Sequence, residues 1–176
     1  MIKTIVLGGG CFWCTEAIFK KLKGVQDVIP GYTGSSFLNP TYRDICTGQT
    51  GHAEVVKIHY NTNVITLKTI LDVFFQTHDP TTINRQGNDV GSQYRSCVFT
   101  NDPDEKIIIK ESINIFNQKV FTKNKIVTTI EHENVFYEAE NYHKDYFEQN
   151  PKVPYCSFVI SPKIKSLLTN HTDLIK

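Results

Sequence analysis

The chain has 176 residues, of which 40% are hydrophobic, 21% charged and 11% aromatic, with a formal net charge of +1. These values exclude a disordered chain, which combines low hydrophobicity with high net charge, and they lack the basic surplus of a nucleic-acid-binding face. The length suits one domain over 1–176; no window approaches the roughly 20 apolar residues that cross a bilayer, and the run Met1–Leu7 is too short for a signal-peptide core, so a soluble, cytoplasmic monomer is expected.

Thr4–Leu7 is a β-branched and apolar run that predicts a buried strand. Gly8-Gly9-Gly10 then makes a turn, and Cys11–Leu22 reads as a helix closed by Gly24. Val25–Ile29 suits a second strand. Pro30–Gly51 is rich in Gly, Pro, Ser, Thr and Asn and reads as a long loop; loops of that length in a domain are usually functional or disordered. Ala53–Tyr60 alternates as a strand, with Glu54, Val56, Ile58 and Tyr60 on one face. Thr66–His78 is the clearest helix, with Leu67, Ile70, Leu71, Phe74 and Phe75 on one side.

Thr81–Gln93 is a second polar loop, Tyr94–Thr100 a strand, and Asp102-Pro103 opens a helix to about Lys119. Ile126–Glu131 reads as a strand and Tyr137–Gln149 as a helix. Residues 150–176 form a C-terminal tail with two early prolines. Strands and helices intermingle in one domain, which predicts an α+β chain built as a two-layer α/β sandwich with a mixed sheet.

Five cysteines are present: Cys11, Cys14, Cys46, Cys97 and Cys156. An odd count without an export signal argues against a disulfide framework and points to catalysis, metal binding or redox cycling. Cys11 falls where a strand, a glycine turn and a helix start meet. The free N–H groups and positive dipole end of a helix N-terminus stabilise a thiolate, so its pKa is expected below the free value. Cys11-Phe12-Trp13-Cys14 is a CxxC with three readings: half of a zinc site, a redox pair, or a nucleophile with an incidental second thiol. A zinc site needs a second close pair, and Cys46, Cys97 and Cys156 are scattered. Phe12 and Trp13 beside a reactive sulfur suit a methyl or thioether pocket, although core packing would also account for both rings.

Glu54, on an otherwise apolar strand face, is expected to have a raised pKa and to be usable as a general acid, unless it is a solvated strand-end residue. Tyr42 and Tyr94, at the two polar loops, are each placed to donate a hydrogen bond to a developing oxyanion. Two other patterns fail. Gly8-Gly9-Gly10 lacks the third glycine of a dinucleotide loop, and the single ExxH at Glu140–His143 lacks the partner motif of a di-iron site.

The string Gly10-Cys11-Phe12-Trp13-Cys14 resembles the GCFW signature of peptide methionine sulfoxide reductase A, the family specific for the S epimer. The likeness continues through Gly31–Gly34, Asn39–Tyr42, Thr47–Glu54, His78–Pro80, Asn84–Ser96, Phe136–Glu140 and Tyr142-His143, in order over most of the chain. The resemblance implies Cys11 as the nucleophile on the sulfoxide sulfur and Glu54 as the acid that protonates the oxygen. Tyr42 and Tyr94 would bind that oxygen, Phe12 and Trp13 would hold the methyl group, and Asp89 would be a polar residue beside the site. It also implies a Cys11 sulfenic acid, a disulfide with a second cysteine, recycling by thioredoxin, oxidised proteins and free methionine sulfoxide as substrates, a fold related to the ferredoxin-like plait, and no metal or organic cofactor.

The sequence departs from the family at the tail. Pro154-Tyr155-Cys156-Ser157 matches the context of a recycling cysteine but lacks the usual glycines. Cys156 is the favoured resolving residue and Cys14, three residues from Cys11, is its rival; Cys46 and Cys97 are expected to be structural. The competing enzyme class is a general thiol–disulfide oxidoreductase using Cys11 and Cys14, which would leave Glu54, Tyr42 and Tyr94 without roles. The competing non-enzyme is a redox-sensing or metal-binding module.

Overall fold

A computed structural model describes residues 1–176. Its centre is β1 (Ile2–Gly9), whose β-branched and apolar residues suit a strand flanked on both sides. β3 (Ala53–Asn61) pairs antiparallel with β1 from Ile2↔Asn61 to Leu7↔Val56. β2 (Val25–Thr33) pairs antiparallel with β3, with an irregularity between Val25 and Asp27. On the other side of β1, β6 (Ser96–Phe99) pairs antiparallel, and β7 (Thr129–Glu131) adds parallel to β6. β8 (Tyr137–Glu138) caps the edge of β2, giving the order β7-β6-β1-β3-β2-β8. β4 (Arg85–Gln86) and β5 (Asp89–Val90) form a separate small hairpin. The sheet is therefore mixed, as the sequence predicts.

Helices cover one face. α1 (Phe12–Phe19) follows the glycine turn. α3 (Leu67–Thr77) starts where the Thr69 N–H donates to the Thr66 hydroxyl, and it buries Leu67, Ile70, Leu71, Phe74 and Phe75 as its periodicity requires. α4 (Pro103–Lys119) starts from an Asp102 cap with Pro103 in its first turn. The main core joins Ile5 and Leu7 of β1, Val56 and Ile58 of β3, and Phe74 and Phe75 of α3. Each such fully buried side chain contributes about 1.5–3 kcal/mol. The opposite sheet face carries a smaller cluster of Val6, Ala53, Val55, Cys97 and Phe99.

Three segments differ from the sequence reading. β2 runs on through Thr33 because β8 pairs with it at Gly31 and Tyr32, so the first loop starts later. That loop also contains α2 (Tyr42–Cys46), opened by a capping box in which Thr41 and Asp44 satisfy each other's backbone N–H groups. The second polar loop contains the β4–β5 hairpin.

The largest correction concerns 137–149, which is not one helix. β8 is followed by a single 3₁₀ turn at Asn141–His143 and a short α5 (Tyr146–Gln149). Asp145, at φ 56°, breaks the helical path, and the buried Glu16 carboxylate accepts its backbone N–H. Tertiary pairing on β2 and on α1 overrides helix propensity here.

The C-terminal residues also hold more structure than their sequence suggests. A π-helical turn at Cys156–Ile160 leads directly into α6 (Ser161–Asn170), which rests on α1 and buries Ile164 and Leu167.

Candidate active site

Gly10 has φ +90°, and a Cβ there would lie 2.6 Å from the Gln86 side chain, so glycine is required on both counts. Gly8 and Gly9 belong to β1; Gly10 alone makes the turn that delivers Cys11 to the N-cap of α1. The Cys14 N–H donates to the Cys11 carbonyl at 3.1 Å, which closes the first turn and puts both thiols on the same side. The two thiols act on each other's ionisation, Cys14 raising the Cys11 pKa and Cys11 lowering that of Cys14.

Glu54 on β3 is 2% exposed, and its Oε2 accepts the Phe12 backbone N–H at 3.1 Å. Burial pushes its carboxyl up to about 8; the Phe12 N–H opposes the rise, and the charges of Asp89 and Cys14 add to it. It is buried with a raised pKa, as its place on an apolar strand face predicts.

The expected depression of the Cys11 pKa is not found. Burial, the Cys14 thiol and the Glu54 charge raise it well above the ordinary thiol value. The Trp13 N–H at the start of α1 does pull it down, and burial, the Cys14 thiol and the Glu54 charge together outweigh that pull. The negative charge of the pair settles on Cys14, whose pKa is pulled down, chiefly by the hydrogen bond from Cys11. Cys14 Sγ lies 3.8 Å from the Tyr155 hydroxyl, which donates to Asp89 Oδ2 at 2.6 Å.

Tyr42 on α2 and Tyr94, in the turn before β6, converge on this centre. Burial raises both phenols, and both feel the charges of Glu54 and Cys11; they remain protonated donors across the ordinary pH range. Asp89 of β5 and Gln86 of β4 line a cavity of about 200 Å3 beside Cys11 and Tyr155. A cavity of about 600 Å3 lies elsewhere, between the end of α3, residues 120–124 and α6, and holds no cysteine.

Phe12 and Trp13 belong to an aromatic enclosure. Trp13 stacks on Tyr146 at 3.7 Å between centroids, stands edge-on to Tyr155 at 6.0 Å, and its indole N–H donates to His143 Nδ1 at 3.0 Å. The fully buried His143 ring lies 5.0 Å from Phe12 and 4.4 Å from Tyr42. Burial lowers its pKa, so the ring is neutral and its proton sits on Nε2, which has no partner. Glu140 ties the rim together, accepting from the Tyr42 N–H at 2.9 Å and the Tyr32 hydroxyl at 3.0 Å.

His143, Tyr146, Tyr155 and Glu140 are the members that residue-by-residue reasoning missed. The ExxH spacing of Glu140 and His143 was the available signal, but it reports a rim-and-ring pair rather than metal ligands. Of the other cysteines, Cys97 is wholly buried beneath Gly8. Cys46 is exposed on α2. Cys156 is buried, and its thiol feels the charge of Cys14.

A buried thiol pair, a protonated carboxyl, two phenol donors and an aromatic enclosure together define a cysteine-dependent reductase for a small polarised group carried on an apolar substituent. Residues 3–174 match the family model described as "Peptide methionine sulfoxide reductase". The chain is 52% identical over 175 residues to peptide methionine sulfoxide reductase MsrA of Trichodesmium erythraeum, covering 99% of each protein. It is 49% identical over 172 residues to that of Sulfolobus acidocaldarius, covering 98% of this chain and 97% of that one. Reduced Mxr1 of Saccharomyces cerevisiae superposes with a TM-score of 0.81 at 37% identity, over 88% of this chain and 89% of that one. The chain belongs to the peptide methionine sulfoxide reductase family, and it is an oxidoreductase that reduces methionine sulfoxide.

Proposed function

We propose that this chain reduces the S epimer of methionine sulfoxide through Cys11, Glu54, Tyr42 and Tyr94, with Phe12 and Trp13 enclosing the methyl group and Asp89 holding Tyr155 over the thiol pair. The observation that carries the reading is the buried Glu54 carboxyl on the Phe12 N–H, one residue from the Cys11 nucleophile. Cys11 Sγ attacks the sulfoxide sulfur as its proton passes to Cys14. Glu54 protonates the sulfoxide oxygen while Tyr42 and Tyr94 donate to it. Oxygen transfer leaves methionine, reduced by two electrons, and a Cys11 sulfenic acid, oxidised by two.

Cys14 would close the first disulfide, being three residues from Cys11 on the same helix turn and the thiol whose ionisation Cys11 favours. Cys156, the residue the sequence favours, is buried beside Cys14 and would receive the disulfide from it by exchange. A dithiol reductant then restores the thiols. Mxr1 of yeast has been crystallised in complex with Trx2, which supports a thioredoxin as that reductant here. No helix is long and apolar enough to cross a membrane, which is compatible with a cytoplasmic setting.

The test is turnover of a racemic methionine-sulfoxide peptide with dithiothreitol, with the epimers resolved. Loss of the S epimer alone, abolished by Cys11→Ser, is expected. Equal loss of both epimers, or residual turnover by Cys11→Ser, would overturn the assignment.

A further inference from the structure

Two cavities flank the Cys11–Cys14 turn. The larger opens beside Cys11, Gln86, Asp89 and Tyr155. The smaller, of about 10 Å3, is a crevice behind Cys14 bounded by Gly9, Phe74 and His78. One residue lines both: Lys163, on the first turn of α6 and half-buried. Its ammonium is the one cation on either lining, because burial holds the pKa of His78 near 4 and that ring is neutral.

We propose that Lys163 is a positioning residue for the resolving step, its ammonium holding the Cys14 thiolate ready to attack the Cys11 sulfenic acid. The inference rests on the reading that Cys14 closes the first disulfide. In that step the Cys14 sulfur forms the S–S bond and is oxidised. The S–O bond of Cys11 breaks, its sulfur is reduced, and the departing hydroxide leaves as water after taking up a proton. The step needs a thiolate in a buried place where Asp89 supplies negative charge, Glu54 adds to it once its proton has gone to the sulfoxide oxygen, Cys11, Tyr155 and Cys156 are neutral, and His78 carries none. When Cys11 becomes a sulfenic acid, the hydrogen bond from its thiol to Cys14 is lost. The Lys163 charge, the next-ranked pull on the Cys14 pKa after that bond, is then the principal group favouring the thiolate. The C-terminal segment thereby serves the chemistry through the Lys163 cation of α6 as well as through Cys156 of the turn before it.

The experiment uses the full chain and its Lys163→Gln, Lys163→Met and Lys163→Arg variants with a single equivalent of a methionine-sulfoxide peptide. Methionine release is followed by quenched flow. Disulfide closure is followed by free-thiol count and by the fluorescence of Trp13, the one tryptophan. Lys163→Gln and Lys163→Met are expected to release the first methionine at the wild-type rate and to close the disulfide about three- to tenfold more slowly at pH 7, a one-unit pKa rise being about tenfold in thiolate. The deficit should vanish by about pH 10, where the thiol ionises unaided, and Lys163→Arg should close at the wild-type rate. Wild-type closure at pH 7 by the uncharged variants would overturn the proposal, as would an equal deficit at every pH. Cys14→Ser that still closes a disulfide at the wild-type rate would instead overturn the Cys14 reading, whatever the lysine variants do.

Discussion

The backbone N–H of Phe12 donates to Glu54 across 42 residues of sequence at 3.1 Å, so the first turn of α1 is tied to the strand that carries the acid. Because burial raises the Glu54 carboxyl to about 8, the protonated, active form persists through neutral pH. The rate of first methionine release is therefore expected to fall as pH rises through 8. Glu54→Gln should lose at least about a hundredfold and abolish that alkaline limb. Single-turnover rates between pH 5 and 10 check this; a Gln variant retaining the limb would assign the titration to another group.

Thiol reactivity should follow exposure and pKa rather than catalytic role. Cys46 is exposed, whereas Cys11 is 7% exposed and held as a thiol by burial, by Cys14 and by Glu54. Iodoacetamide at pH 7.5 is expected to label Cys46 before Cys11 in the resting enzyme, and Cys46→Ser is expected to remove that fast label. Mass mapping of the alkylated peptides decides the order. Labelling of Cys11 first would show that the α1 N-terminus does depress its pKa after all.

The sequence reading succeeded where a single element decided the outcome. Leu67, Ile70, Leu71, Phe74 and Phe75 repeat at helical spacing and form the buried face of α3, and the alternation of Glu54, Val56, Ile58 and Tyr60 placed a carboxyl inside. It failed where elements distant in sequence compete. Nothing near Cys11 reveals that the fold buries it beside the Glu54 charge, which outweighs the pull of the helix start on its thiol. Nothing within 137–149 reveals that β2 and Trp13 pull that segment out of a helix. The family strings named Cys11, Glu54, Tyr42 and Tyr94. That Cys11 and Cys156 both feel Cys14 needed the packing of the C-terminal residues on α1.

That coupling separates the roles of the two candidate resolving thiols. Cys14→Ser should complete one turnover, releasing about one methionine per chain, and then accumulate Cys11 sulfenic acid, trapped by dimedone. Cys156→Ser should still close a Cys11–Cys14 disulfide, visible by mass as the loss of two hydrogens, and should fail to turn over repeatedly with thioredoxin while continuing with dithiothreitol. Repeated thioredoxin-driven turnover by Cys156→Ser would remove Cys156 from the relay and leave Cys11 and Cys14 as the complete redox pair.

The Trp13 indole N–H and His143 Nδ1, 3.0 Å apart and part-buried, hold the aromatic enclosure in register across 130 residues of sequence. His143→Phe keeps a ring between Phe12 and Tyr42 but leaves the indole N–H without an acceptor. A buried donor left unpaired costs about 1–3 kcal/mol, equivalent to about 2–12 °C in Tm at this chain length. The same change lets Trp13 drift from its place in the enclosure; if Trp13 holds the substrate methyl as proposed, KM for the sulfoxide peptide should rise several-fold while single-turnover chemistry at saturation falls less. His143→Asn, whose side-chain carbonyl can occupy the Nδ1 position, should recover part of the KM but not the ring packing. Calorimetry and steady-state kinetics on both variants check this. A Phe variant with unchanged KM would show that Tyr146 stacking alone fixes Trp13.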